Sequence, residues 1–273
     1  LHKVQLAADP WLYYYFSERF LHWLKSAFIP AVPRGFSKHN SMRTRGSMQQ
    51  TQISTKAQEL VTYRLMEDRF FELWNRCLLP GAGSNAAEVW PRVADRYSES
   101  HRHYHGLNHL AHCLEQFDLA KELIDTPDAV EMSIVFHDVI NDPGNKNNEK
   151  ESAEYFQQLG GGQFDPQFIQ RVVDMIMVTT HRAPPSDRDQ QFICDIDLAS
   201  FGCPWECYLR DSLNIEAEFH GTTEEFERGK VAFLQSLLER PRIFLTDFFN
   251  QRYENQSREN IRRMLEMVRP DDG

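Results

Sequence analysis

Apolar side chains in this chain recur at three- and four-residue steps from about residue 55 to the end, and that period admits little other than a helical fold. Over 55–78 the stripe is Leu60, Tyr63, Met66, Phe70, Leu73 and Cys77. In Ala86–Tyr97 it is Val89, Trp90, Val93 and Tyr97. Further helices are expected over Leu107–Ile124, 128–139, Glu149–Leu159, from Pro166 onward, and over Arg188–Phe201, Pro204–His220, Glu224–Glu239 and Phe248–Val268. PGAGSN (80–85), DPGNKNN (142–148), the three glycines after Leu159 and APPSD (183–187) interrupt the period. Thr126-Pro127 and Asp165-Pro166 have the cap-then-proline form of helix starts. No two segments are copies long enough to be repeats. The expected fold is all-α, a compact helical bundle.

The first 47 residues do not share this pattern. They hold seven Lys/Arg and two Asp/Glu, a net +5, so the remainder carries −15 of the total −10. After an aromatic stretch at 11–24 comes a Pro/Ser/Arg run without period. Residues 1–47 are therefore read as a disordered or non-native N-terminal extension, and 48–273 as the working domain, starting near Met48. The acidic body argues against nucleic acid as a partner, because phosphate backbones demand a cationic surface. A small phosphorylated substrate remains compatible, since a bound divalent cation reverses the local field. No apolar run approaches the roughly 20 residues that span a bilayer, so no membrane partner is expected. The five cysteines are odd in number and include no CxxC pair. Cys203-x3-Cys207 has no companion pair to complete a zinc ribbon. They read as reduced thiols of a cytoplasmic protein, and a homodimer is left open.

Six of the eleven histidines fall between 101 and 137. His105 and His109 are four apart, which on one helix would point both imidazoles to one side. His137-Asp138 follows inside the apolar run VFHDVI. First-row transition metals accept imidazole and carboxylate together, whereas hard Mg²⁺ or Ca²⁺ favour oxygen. A carboxylate beside a ligating His can bridge to a second ion. Two ions about 3.5–4 Å apart can clamp a phosphoryl group and generate hydroxide at neutral pH.

With RYSESHRHYHGLNHL, FHDVIND, NNEKESA and DIDLASFG, the chain resembles the HD superfamily of metal-dependent phosphohydrolases over about residues 55–268, and within it a bacterial group of predicted phosphohydrolases. The resemblance implies an HD-domain-like bundle and makes His109, His137 and Asp138 metal ligands. The distal ligand is Asp197 or Asp195. Ile-Asp-Leu alignment favours Asp197, and two residues apart on a helix differ by about 200°, so only one faces the ions. The other is expected to cap or to hold a ligating histidine. YHGLNH is also similar to the YHNxxH segment of cyclic-nucleotide phosphodiesterases, with Gly106 in place of Asn; that similarity makes His105 the acid for the leaving group.

Supporting roles are less specific. Glu149 could activate water or simply stabilise a helix N-terminus. His181 could ligate a second ion, contact substrate or cap a helix end. Arg102, Arg228 and Lys230 could bind substrate phosphate. The resemblance implies hydrolysis of a phosphate ester, with nucleotides or nucleotide-like phosphomonoesters as the default substrate class, using one or two divalent ions from Mn, Co, Ni, Fe, Zn or Mg. Asp138 would bridge the ions. Two rivals stand beside it: an HD-fold di-iron oxygenase, and a non-catalytic helical binding protein with a structural metal.

Overall fold

The apolar stripe of the first helix ends in Phe70, Leu73 and Trp74, all inaccessible to solvent, and the core is built outward from them. Trp74 meets the edge of Phe164 at 4.5 Å between ring centroids, and Phe70 meets Trp90 at 5.4 Å. Phe136 and Phe156 continue the same aromatic layer at 5.0 Å. Each such ring buries roughly 150–250 Å², so this layer dominates the packing. The structure is a computed structural model that describes residues 45–268, with side chains from Val61 on.

Ten α-helices and two 3₁₀ turns make up the regular structure among the described residues, with no strand. They are α1 (Arg45–Cys77), α2 (Ala86–Tyr97), α3 (Leu107–Ala120), α4 (Pro127–Phe136), α5 (Asn148–Gly160), α6 (Pro166–Val178), α7 (Arg188–Asp197), α8 (Trp205–Glu218), α9 (Thr223–Glu239) and α10 (Asp247–Val268). The 3₁₀ turns are Lys121–Leu123 and Leu198–Gly202. The all-α expectation holds. The chain divides after residue 53, and the core and the clustered histidines belong to the unit 54–273. The expected extension at 1–47 lies outside the described residues except for 45–47, which open α1. No helix among the described residues is long and apolar enough to cross a membrane.

Helix α4 is central. Every residue from Ala129 to Phe136 is buried, as expected of a helix enclosed on all sides. It packs against α3, α6 and α7, and α3 also packs against α7, so these helices meet pairwise. One charge inside α4 is neutralised from α1: buried Glu131 takes hydrogen bonds from Arg69 and Arg76, both at 2.6 Å.

Several boundaries differ from the sequence-based expectation. The helix expected over 128–139 stops at Phe136, so His137 and Asp138 lie at its end. Thr126 does not cap α4 with its own side chain. Its hydroxyl and N–H, with the N–H of Asp125, donate instead to the buried carboxylate of Asp189 on α7. A carboxylate at a helix N-terminus satisfies otherwise orphaned donors, and here it is supplied by a neighbouring element. The chain after Ala120 tightens into a 3₁₀ turn on its way to that contact.

Candidate metal centre

Four donor atoms from three helices converge at the C-terminal end of α4. His109 Nε2 lies 3.3 Å from His137 Nε2 and 3.3 Å from Asp138 Oδ2. His137 Nε2 is 3.0 Å from the same oxygen. Asp197 Oδ1, at the last residue of α7, is 3.4 Å from His109 Nε2 and 3.5 Å from His137 Nε2. An ion about 2.1 Å from each donor demands donor–donor edges of about 3.0 Å at right angles and about 3.4 Å at the tetrahedral angle. These five edges, 3.0–3.5 Å, lie close to those values, so the histidines with either carboxylate could hold a first-row divalent ion.

Local chemistry aims these atoms. His137 Nδ1 donates to the carbonyl of Ile134 at 2.8 Å, which fixes the tautomer and turns the Nε2 lone pair inward. The two histidines are 5% and 2% exposed, while the Asp138 and Asp197 side chains are about one-fifth exposed, so the carboxylates form the open side. Burial works against a proton on either imidazole, but neighbours outweigh it. Cys113, Tyr104 and both carboxylates do so at His109, and Asp138 and Asp197 do so at His137, so both rings sit well above their usual range. Burial likewise opposes ionising Asp138 and Asp197, yet the facing imidazoles hold both carboxyls well below theirs.

His105 is not on the helix with His109. Gly106, extended at φ −106° and ψ −167°, precedes α3 and leaves His105 in the turn before it. A Cβ on residue 106 would sit 3.2 Å from the carbonyl oxygen of Tyr97, which gives a steric reason for glycine where the phosphodiesterase-like segment has Asn. The rings of His105 and His109 still stand 5.7 Å apart, edge to face. His105 Nδ1 is 2.5 Å from Oε2 of Glu218, whose Oε1 accepts the backbone N–H of Tyr104 and His105 at 2.6 and 2.8 Å. Sequence reasoning misses Glu218; nothing in its local sequence separates it from the other acids of an acidic chain.

Asp195 faces away from the cluster. Fully buried, it accepts the N–H groups of Leu245 and Thr246 and the Thr246 hydroxyl, each at 2.7 Å, immediately before α10. It caps, as one of the two aspartates is expected to, but it holds no histidine. His181 meets the other oxygen of Asp197 at 2.8 Å through Nε2. It has φ +54°, a left-handed conformation uncommon outside glycine, and such strain gathers at functional positions.

Arg102 departs from the expected phosphate contact. Its guanidinium is buried over the Tyr97 ring and donates to the carbonyls of His105, Asp138 and Val139 and to Glu99. It clamps the His105 turn to the His137-Asp138 segment. Among the described residues no hydrogen bond or ion pair joins Glu149, Arg228 or Lys230 to the cluster. Glu149 is half-buried near the start of α5, Arg228 is exposed on α9, and Lys230 lies over the Phe226 ring. The NNEKESA segment contributes differently: Asn148 bonds the Asn141 side chain and the Asp142 backbone, and Ser152 bonds the backbone of Ile140. These latch the loop after His137-Asp138.

Cys113 is a further donor, one that its sequence context places only among the structural thiols. One turn after His109, its Sγ is 3.6 Å from His109 Nε2 and groups with donors of His109, His137 and Asp197 within 4.8 Å. No family model, curated protein or solved structure matches the chain, so the chemistry of this centre is read from its own residues.

Proposed function

We propose that this chain is a metal-dependent phosphohydrolase of the HD type, acting on a small phosphate ester such as a nucleotide. The observation that carries the reading is the convergence of His109, His137, Asp138 and Asp197 at edges of 3.0–3.5 Å. A divalent ion held there supplies Lewis acidity and a nucleophilic water near neutral pH. The residues supply the rest. Ile134 and Arg102 fix the His137-Asp138 segment, His181 orients Asp197, and Glu218 holds the proton on His105 Nδ1. His105 Nε2 is then the atom that gives a proton to the leaving oxygen, a step worth about 10²–10⁴-fold.

The test is elemental analysis of protein purified without chelator, then phosphomonoester, diester and nucleotide hydrolysis with added Mn²⁺, Co²⁺ or Ni²⁺. Turnover that disappears in His137→Ala and Asp197→Ala, along with the bound metal, is expected. Absence of turnover with every substrate and metal sinks the proposal. One observation favours a second reading: His181 places another imidazole on Asp197, as a redox-active di-iron centre would require. Iron as the bound metal after aerobic purification, with a visible absorption band and no phosphatase activity, would favour that reading.

A further inference from the structure

A second donor cluster lies at the start of α8. Cys203 precedes the helix in extended backbone, while Cys207 in its first turn and Asp211 one turn later lie on one face of it. Ligand atoms of the three lie within 4.8 Å of one another. Both thiols are buried, at 4% and 7% exposure, whereas the Asp211 side chain reaches solvent at 17%. The segment is rigidly held. Buried Asn260 of α10 donates to the carbonyls of Phe201 and Cys203, both at 2.8 Å, and the Cys203 N–H bonds the carbonyl of Ser200. Arg210 Nη2 donates to Cys207 Sγ at 3.1 Å and to Asp211 Oδ1 at 2.9 Å.

We propose that Cys203, Cys207 and Asp211 bind a thiophilic divalent cation, of the zinc class, at a site separate from the histidine–aspartate quartet. Thiolate donors select zinc over magnesium or calcium. Two thiolates and one carboxylate carry three negative charges, which one divalent ion and the Arg210 guanidinium balance. The N–H donated by Arg210 to Cys207 is the kind of outer contact that tunes metal thiolates. Zinc–sulfur bonds of about 2.3 Å set a sulfur–sulfur edge of about 3.8 Å, below the 4.8 Å that bounds the separation of the three ligand atoms. Three protein donors leave a fourth position for water on the exposed Asp211 side. The site does not depend on the proposed hydrolysis.

The experiment uses the full reduced chain with Co²⁺ as the probe. A thiolate-to-cobalt charge-transfer band in the near ultraviolet is expected, together with one more bound equivalent than in Cys203→Ser/Cys207→Ser. Cys113 also lies near a metal centre, so the band must persist in Cys113→Ser and in His109→Ala/His137→Ala. A band unchanged in the double serine variant, or one abolished by Cys113→Ser, overturns the proposal. Where the double variant fails to fold by circular dichroism, alkylation of the wild-type chain decides. Zn²⁺ must slow labelling of Cys203 and Cys207 at least tenfold, and equal labelling with and without Zn²⁺ overturns the site.

Discussion

His105 and Glu218 are 113 residues apart in sequence, yet Nδ1 of one lies 2.5 Å from a carboxylate oxygen of the other. Burial would raise the Glu218 carboxyl, but His105 and two backbone N–H groups bring it down to about 2. At ordinary pH it can only accept, so Nδ1 must carry the proton. If His105 is the acid of the proposed reaction, His105→Gln lowers kcat by about 10²–10⁴-fold. Glu218→Gln lowers it by about 10–100-fold, because Nδ1 loses the carboxylate that holds its proton and orients the ring. A wild-type kcat in Glu218→Gln would remove Glu218 from the mechanism.

The same carboxylate also sets an acid response. Its folded value of about 2 lies below its ordinary 4.5, so the stabilisation is full above pH 4.5 and lost as pH falls from there through 2. Urea midpoints measured across that window should fall less steeply in Glu218→Gln than in the wild type. Equal slopes would show that the pairing makes no contribution to stability.

Asp195 and Asp197 separate stability from metal binding. Asp195→Ala leaves buried donors of Leu245 and Thr246 without their acceptor, which costs about 2–4 kcal/mol, while metal content stays at the wild-type level. Asp197→Ala should do the reverse, with the metal lost and a smaller change in the metal-free urea midpoint. Metal content and urea midpoint on each variant decide, and an exchange of the two phenotypes would reassign the distal ligand.

Arg102 holds three carbonyls and one carboxylate with a planar fork that an ammonium does not reproduce. Arg102→Lys is expected to cost about 2–3 kcal/mol and to weaken metal retention about 10–100-fold, although no atom of Arg102 would touch the ion. Thermal melts and equilibrium dialysis check the two effects. A variant that loses only substrate affinity would restore the phosphate-binding role.

Glu131 is 2% exposed and depends on Arg69 and Arg76 for its charge. Removing both arginines leaves an uncompensated buried carboxylate and should cost about 3–5 kcal/mol. Adding Glu131→Gln to that background should recover much of the loss, because the amide has no charge to strand. Chemical denaturation of the wild type and the two variants tests this, and no recovery would place the cost in lost arginine packing instead.

Much of this architecture is legible from spacing alone. Period-3.6 stripes locate the helices because each must bury one face; the His109, His137-Asp138, Asp197 set is instead what the family resemblance implies, and it converges because those helices pack pairwise. What spacing cannot convey is direction. Arg102 sits among histidines like an anion binder, yet its guanidinium turns inward, since the carbonyls it serves become neighbours only after the chain folds. Glu218 is hidden for the same reason: its partner is brought close by the path of α8. His105 shows a local limit, because a single glycine at 106 moves the start of α3 past it.

Helix α7 carries three aspartates with three separate duties: Asp189 caps α4, Asp195 ties down the start of α10, and Asp197 reaches the His109–His137 cluster. Each residue added to a helix rotates the remainder of that helix by about 100°. One amino acid inserted between Asp189 and Asp195 would leave the first in place and swing the other two off their targets at once. The length of this ten-residue helix is therefore under tighter constraint than the identity of its exposed side chains. Homologous chains should tolerate substitution along α7 far more readily than insertion or deletion within it.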